Sequence, residues 1–190
     1  MTDAQLIQAS LEGNDNAFKT LVQKYESMVA ATVIGMLGHC PEAEDVGQET
    51  FIRFYRSLDK FRGDSSVGTY IIRIAMNLSL NALKQRKIHR MRFWYPREKQ
   101  ELPIQDPDSH EYDDVNEIVG KAIQKLSPEF RSVIVLRFSK EHSIKEIAEI
   151  LQIPQGTVLS RLSRAQKKLK VILEPILGED DDKKNDRSAA

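Results

Sequence analysis

The residues best suited to chemistry lie near the C-terminal end, where hydroxyl and basic side chains share one face of a predicted helix. Its apolar stripe consists of Val158, Leu162, Ala165, Leu169 and Ile172. At about 100° per residue, the opposite arc carries Ser160, Arg161, Ser163, Arg164, Lys167 and Lys168. Hydroxyls and guanidinium groups donate hydrogen bonds to base edges, and lysines contact phosphates. This chemistry is recognition of a nucleic acid.

A shorter helix and a turn precede this basic helix. Ser143 and Glu146 form a capping-box pattern, and the apolar residues behind it recur at i, i+3, i+4 and i+7. A break at residues 152–154 then leads into the basic helix. This order predicts a helix-turn-helix whose second helix enters the major groove of DNA. The predicted duplex-binding residues are Gln155, Thr157, Leu159, Ser160, Arg161, Ser163, Arg164, Lys167 and Lys168.

The alternative is a helical hairpin with a solvated face. A surface helix selected only for solubility usually mixes glutamate with lysine, and no acidic residue occurs between positions 155 and 173. The absence of acids from this segment favours the DNA-binding interpretation.

The composition excludes several classes of protein. The chain has 190 residues, with 28 basic and 28 acidic side chains, and 41% of its residues are hydrophobic, so it is not a disordered polyelectrolyte. Cys40 is the single cysteine, which excludes an intramolecular disulfide framework and suits a reducing compartment. The first residues lack a basic leader, and the longest apolar stretch is too short for a bilayer. We expect a soluble, intracellular chain.

The zero net charge conceals segregated segments. Residues 67–99 contain eight basic side chains and one acidic, residues 101–120 contain seven acidic and none basic, and residues 121–178 contain eleven basic and five acidic. Two basic segments around an acidic one indicate two polyanion-binding modules on a repelling linker. The alternative for such runs is a set of solvated helix faces.

The elements that must position these residues are all predicted to be helices. Four helices are predicted in the first module. Their starts are indicated by capping signals at Thr2 and Asn14, by Pro41 at a first helical position, and by an amphipathic stretch that begins at Val67. Helices near Val115 and Pro128 precede the helix-turn-helix. We predict an all-α chain with modules at 1–94 and 116–178, a linker at 95–115, and a disordered tail at 179–190.

Three segments of the first module carry a family resemblance, and a fourth segment in the second module agrees with it. These segments are residues 43–51 (AEDVGQETF), 61–66 (FRGDSS), 73–77 (RIAMN) and 153–165 (IPQGTVLSRLSRA). The first three resemble region 2, and the fourth region 4.2, of bacterial sigma-70 factors of the extracytoplasmic-function (ECF) group. The resemblance covers both modules. It implies a sigma factor that binds RNA polymerase core, directs it to specific promoters and assists promoter melting.

One face of the third helix has a role only through this resemblance. Its residues are Asp45, Gln48, Glu49, Ile52 and Arg56. In an isolated sequence this polar face would be taken as merely solvated. The resemblance implies that it docks on the clamp helices of the largest polymerase subunits. A catalytic pair of Asp45 and Glu49 lacks any neighbouring base, so we expect no enzyme activity and no small-molecule substrate.

The loop at 61–66 and the fourth helix are implied to bind the minus-ten element as an opened strand. The residues are Arg62, Gly63, Asp64, Ser65, Ser66, Thr69, Tyr70, Arg73 and Asn77. Arginine can contact phosphates, Asn77 can bond a base, and Tyr70 offers a stacking surface. Binding only the unpaired state shifts the duplex toward melting. The alternative for Tyr70 is core packing at the edge of the helix.

Several features depart from the family pattern or remain open. Leu159 stands at a usually basic position and could contact a thymine methyl group. Gly68 and Met76 replace frequently basic residues, and Tyr70 replaces a frequent tryptophan.

The acidic linker resembles a connector that threads the polymerase cleft, with a solvated tether as the alternative. We expect no metal and no cofactor, and we interpret Cys40 as structural.

The resemblance also implies a partner and a location. Family members are silenced by an anti-sigma factor, and such a partner could hold this otherwise cytoplasmic chain at a membrane. Two other functions stay open from the residues alone. A stand-alone helix-turn-helix regulator would bind its operator as a dimer without polymerase, and an all-α enzyme acting on nucleic acid would need a metal cluster or nucleophile.

Overall fold

The computed structural model describes residues 1–93, 115–139 and 142–186. Within these ranges every regular element is helical, which confirms the all-α prediction. The elements are α1 (Asp3–Leu11), α2 (Asp15–Leu37), α3 (Pro41–Arg56), a 3-10 helix (Leu58–Lys60), α4 (Val67–Phe93), α5 (Val115–Gln124), α6 (Pro128–Ser139), α7 (Ile144–Leu151) and α8 (Gln155–Asp186).

The predicted helix starts in the first module are confirmed by their caps. The Thr2 hydroxyl accepts a hydrogen bond from the Gln5 backbone N–H, and the Gln5 side chain accepts one in return. The Asn14 side chain accepts from the Ala17 N–H at 3.2 Å. Pro41 occupies the first position of α3, where its missing N–H would have had no intrahelical partner. Local sequence therefore fixes where these helices begin.

The first module packs its other helices around α2. This helix contacts α1, α3 and α4, and its apolar face includes Leu21 and Val29. Phe54 of α3 and Ile71 of α4 are fully buried in the same core. The Lys24 ammonium and the Tyr25 hydroxyl on α2 both contact the Asp3 carboxylate at 2.5 Å, which ties α1 to α2.

The second module packs directly on the first, so the described residues share one continuous hydrophobic core. Helix α6 lies between α2 on one side and α8 on the other, and all of residues 131–136 are buried. The apolar run at residues 133–136 of α6 points to more than one side of the helix, so neighbours on more than one side are needed to cover it.

Two predicted boundaries differ from the structure. Helix α8 extends to Asp186, past residue 179 where the predicted tail begins, and residues 187–190 lie outside the described ranges. Charge alone does not end a helix, because glutamate and lysine are good helix formers. The predicted linker lies outside the described residues except Val115, which begins α5. A search of the described residues finds no helix long and apolar enough to span a membrane.

Candidate nucleic-acid and polymerase interfaces

Helices α7 and α8 form the predicted helix-turn-helix. The Ser143 hydroxyl accepts from the Glu146 N–H at 3.2 Å, and the Glu146 carboxylate accepts from the Ser143 N–H at 2.8 Å. These hydrogen bonds from Ser143 lower the pKa of Glu146 below its ordinary value. Gln152 ends α7 in the left-handed conformation with φ 54°, and Pro154 leads into α8. The capping box and the turn set the direction of α8.

The predicted DNA-facing side of α8 is open. Its exposed members are Gln155, Leu159, Ser160, Ser163, Arg164, Lys167 and Lys168, with Thr157 and Arg161 half-buried. Leu159 is 56% exposed among these polar side chains. Within the described part of the chain neither Arg161 nor Arg164 forms a salt bridge. Both guanidinium groups are therefore available to an anionic ligand.

The loop at 61–66 precedes α4 and exposes most of its polar groups. Arg62, Gly63, Asp64 and Ser66 are exposed, and Ser65 is half-buried. Gly63 has φ 77°, a conformation that favours glycine. The Ser66 hydroxyl accepts from the Thr69 N–H at 3.0 Å and lies 2.9 Å from the Thr69 hydroxyl. Hydrogen bonds from α4 therefore hold the end of the loop.

Thr69, a member of the predicted strand-binding set, is buried on α4. It is 4% exposed, and Met76 on the same helix is fully buried, so neither side chain is accessible to DNA in this arrangement. Tyr70 is half-buried, with its ring 5.3 Å from Phe61 and 6.2 Å from Phe54 between centroids. Tyr70 thus makes the core contacts of the alternative interpretation, while Asn77 is exposed as predicted.

Arg73 is engaged by the second module. Its Nη2 donates to the Glu149 Oε1 of α7 at 2.9 Å, and its Nε is buried without a hydrogen-bond partner. The sequence placed Arg73 on a strand-binding face and gave no sign of Glu149, because the two positions are 76 residues apart.

The predicted polymerase-binding face of α3 is solvent-accessible. Its exposed members are Asp45, Gln48, Ile52 and Arg56, and half-buried Glu49 accepts from the Arg53 Nε at 2.7 Å. Sequence reasoning missed Tyr55, which is 48% exposed beside Ile52 at 44%. The aromatic residue three positions after Ile52 was the available signal. Together they form an apolar patch rimmed by charge, which is typical of a protein interface.

Cys40 is held by neighbouring side chains at the start of α3. The Arg86 Nη2 donates to the Cys40 Sγ at 3.1 Å, and the Arg86 Nε donates to the Glu42 carboxylate at 2.5 Å. Among the described residues no three His, Cys, Asp or Glu side chains are grouped so as to hold a metal ion. The contacts of Cys40 join α3 to α4.

Fold and surfaces together define a class of protein: an all-α chain with a DNA-binding helix-turn-helix and a second helical module. Comparison with known protein families identifies the family of each module. The sigma-70 region 2 family matches residues 21–88, and the sigma-70 region 4 family matches residues 122–171.

Curated relatives match nearly the whole chain. The RNA polymerase sigma-H factor of Pseudomonas aeruginosa is 34% identical, covering 93% of this chain and 96% of its own. The ECF RNA polymerase sigma-E factor of Escherichia coli is 33% identical, covering 93% and 97%. The ECF RNA polymerase sigma factor SigW of Bacillus subtilis is 31% identical, covering 84% and 90%.

Solved structures agree in fold. CnrH in complex with the cytosolic domain of CnrY has a TM-score of 0.66 at 25% identity, covering 91% of this chain and 97% of the other. The sigma factor RpoE in complex with the anti-sigma factor NepR from Bartonella quintana has a TM-score of 0.64 at 24% identity, covering 83% and 96%.

The chain belongs to the sigma-70 family, and within it to the ECF group. It is therefore a sigma factor, a transcription initiation factor, rather than a stand-alone regulator.

Proposed function

We propose that this sigma factor binds core RNA polymerase through α3, holds the minus-thirty-five element as duplex through α8, and binds the minus-ten element as an opened strand through α4. The observation that supports this most strongly is the open face of α8, where no acidic side chain accompanies the basic and hydroxyl groups. The accessible face of α3 in the same chain provides a separate surface for the polymerase.

On α8 we propose a division of labour along the helix. Gln155, Ser160 and Arg161 lie near the N-terminal end, which enters the major groove first, so they would contact base edges. Arg164, Lys167 and Lys168 lie on later turns and would contact phosphates, with smaller contributions from Thr157 and Ser163. Leu159 would contact a thymine methyl, the one apolar group that base pairs present in the major groove.

In the first module the loop at 61–66 and Asn77 would bind the unpaired minus-ten strand. Extruding a base costs a few kcal/mol, and a surface that binds only the extruded base offsets that cost. Thr69, Tyr70 and Arg73 would contribute only after the packing around α4 changes, since they are buried or engaged in this arrangement. No chemistry on the nucleotide is required, and we propose no enzyme activity and no cofactor.

On α3 we propose that Ile52 and Tyr55 supply the apolar centre of the polymerase contact. Asp45, Gln48, Glu49 and Arg56 would form its polar rim. Burial of two half-exposed apolar side chains stabilises a complex, and charges at the rim determine orientation. Polymerase would then hold both DNA-binding modules on one promoter, so each can bind weakly alone.

The modules of this proposal are residues 1–94 and 116–178, joined by the acidic linker at 95–115. Relatives of known structure are complexes with an anti-sigma factor or with a cytosolic domain of a second protein. We propose that a protein of the anti-sigma class binds this chain too, and that the chain acts in the cytoplasm, where such a partner could hold it at a membrane.

A mobility-shift assay with and without core polymerase tests the proposal against its alternative. We expect a promoter fragment to be shifted specifically only when chain and core are both present. Tight, specific binding by the isolated chain would instead indicate a stand-alone regulator. A chain that does not associate with core at all would contradict the proposed role of α3.

A further inference from the structure

Five aromatic side chains of the first module form a continuous cluster of ring contacts. The members of this aromatic cluster are Tyr55 and Phe54 on α3, Phe18 on α2, Tyr70 on α4, and Phe61 just before α4. Successive ring centroids lie 4.8 Å apart for Tyr55 and Phe18, 6.0 Å for Phe18 and Phe54, 6.2 Å for Phe54 and Tyr70, and 5.3 Å for Tyr70 and Phe61. Each distance is within the range of interacting aromatic pairs.

The two ends of the aromatic cluster lie at two different proposed binding surfaces. Tyr55 is 48% exposed and belongs to the apolar centre proposed for the polymerase contact. At the other end, Phe61 is the first residue of the loop at 61–66, and Tyr70 belongs to the proposed strand-binding set. Phe54 lies between these ends and is fully buried. The aromatic cluster therefore crosses the core from one proposed surface to the other.

The rings of the aromatic cluster determine one another's positions. Tyr55 meets Phe18 at an interplanar angle of 70°, and Phe61 meets Tyr70 at 65°, so both terminal contacts are close to edge-to-face. Such pairs have a preferred geometry, because the positive edge of one ring is attracted to the negative face of the other. Protein interiors are close-packed, so a ring that turns leaves a clash or a void unless its neighbours move with it.

From this arrangement we infer that Phe18 and Phe54 are positioning residues that couple polymerase binding to binding of the opened strand. Contact of polymerase with Tyr55 repacks the ring of Phe18, and buried Phe54 transmits the change to Tyr70. Tyr70, half-buried in this structure, then becomes available to an unpaired base. Phe54 itself is fully buried and touches neither partner. The inference rests on the proposed function of the two surfaces.

A coupling of this kind is reciprocal. The factor by which core polymerase raises the affinity for the strand equals the factor by which the strand raises the affinity for core. Coupled sites in proteins typically change each other's affinity by about 5- to 150-fold. We therefore expect the wild-type chain to bind core at least about fivefold more tightly when the opened strand is present.

Titration of the full chain with core polymerase measures this coupling. The chain carries a fluorophore at its exposed N-terminal residue, Met1. One titration contains an oligonucleotide with the opened minus-ten strand of a promoter selected by run-off transcription, and a second contains a scrambled oligonucleotide of the same composition. The ratio of the two affinities for core is the coupling factor. A wild-type coupling factor of one would overturn the inference.

Phe18→Leu removes one ring and keeps an apolar side chain on α2. We expect the coupling factor to fall by about fivefold or more, to near one. A purely structural role would not produce this result, because a loss of stability lowers the affinity for core equally with either oligonucleotide. Phe18→Tyr keeps the ring, and its hydroxyl can reach solvent from this half-buried position, so it should retain the coupling factor. A coupling factor that is unchanged in Phe18→Leu would contradict the inference.

Phe54→Leu tests the buried member of the aromatic cluster, and we expect the same loss of coupling. Phe51→Leu is the matched control, since Phe51 is half-buried on the same helix and has no ring contact among the described residues. It should keep the wild-type coupling factor. Should Phe54→Leu fail to fold, the comparison of Phe18→Leu with Phe51→Leu still decides. Equal losses in these two variants would indicate a general effect of core packing and would overturn the inference.

A double variant tests whether the coupling follows one route. Tyr55→Ala removes the ring at the polymerase end and should also lower the coupling factor. Because Tyr55 and Phe18 act in sequence, adding Phe18→Leu to Tyr55→Ala should lower the factor no further. Losses that multiply in the double variant would indicate independent routes and would contradict the inference.

The outcomes separate this inference from the proposed function. If the coupling factor is one but the chain still directs core to promoters, the aromatic cluster does not couple the surfaces and the proposed function stands. If the chain does not associate with core in any titration, the proposed function itself fails.

Discussion

The two predicted DNA-binding helices, α8 and α4, differ in what covers them. The predicted face of α8 is open to solvent, and its arginines have no acidic partner within the described ranges. The predicted face of α4 is partly closed, with Thr69 buried and Arg73 paired to Glu149. The proposed duplex-binding face of α8 is therefore accessible, whereas the proposed strand-binding face of α4 would need a rearrangement before it could bind a strand.

This difference shows what helical periodicity can and cannot predict. Periodicity identifies the residues that share a face, and on α8 most of those residues are also exposed in the structure. It could not predict that a second module packs on α4, because that contact joins residues far apart in sequence. A charged face is therefore accessible only when no other part of the chain covers it.

The largest expected effect is on promoter binding, from substitutions on α8. Arg161→Ala and Arg164→Ala should each weaken promoter binding by the polymerase complex by about 1–3 kcal/mol, or roughly 5- to 150-fold. Lys170→Ala on the same helix lies outside the predicted set and should have a smaller effect. Competition binding with core present measures all three. A loss no greater than that of Lys170→Ala would mean that α8 does not select the promoter.

The next largest effect is expected at the exposed Asn77 of α4, on opening of the minus-ten element. Asn77→Ala should reduce strand opening at the minus-ten element by about 1 kcal/mol, or roughly fivefold, through the loss of hydrogen bonds to a base. Asn81→Ala is the matched control, since Asn81 is exposed one turn farther along. Permanganate reactivity of unpaired thymines reports the opening. Equal reactivity in the two variants would exclude Asn77 from the strand-binding surface.

The third prediction concerns α3, whose proposed partner is core polymerase rather than DNA. Ile52→Ala should weaken core binding by about 1 kcal/mol, because a half-exposed apolar side chain loses the burial that the complex would provide. The unfolding free energy should change by less than about 0.5 kcal/mol. Met91→Ala removes another exposed apolar side chain, 63% exposed at the far end of α4, and should leave core affinity unchanged. A similar loss in both variants would contradict the assignment.

The smallest effect concerns Leu159. Replacing one thymine of the minus-thirty-five element at a time by deoxyuridine removes only its methyl group. If Leu159 covers that methyl, one replacement should cost about 0.8 kcal/mol, or about fourfold in affinity. Leu159→Ala should remove this sensitivity. Wild-type affinity that is indifferent to every replacement would show that Leu159 does not read a thymine.

Local signals in the sequence predicted much of the fold. The caps at Thr2, Asn14 and Ser143 occur as expected, because a cap depends on residues three apart. The motifs at 43–51 and 153–165 predicted the family correctly. The polar face predicted on α3 is accessible, with Ile52 exposed, while Ala43 and Phe54 of the same helix are buried.

The packing of the second module on the first could not be predicted from such signals, although one trace of it is present in the sequence. Residues 133–136 are a run of four apolar residues in a helix, which indicates burial on all sides. A small helix-turn-helix module covers only one side, so another element had to cover the rest. Which element does so depends on the fit of Gly35 to Val135, a contact between positions 100 residues apart in the chain.

Run-off transcription with purified core polymerase on a pool of promoter fragments tests the central claim most directly. We predict that RNA begins at a defined set of positions only when the chain is present, and that the Arg161→Ala/Arg164→Ala double variant loses this selection. Transcripts without defined starts, or the same starts from core alone, would contradict the account.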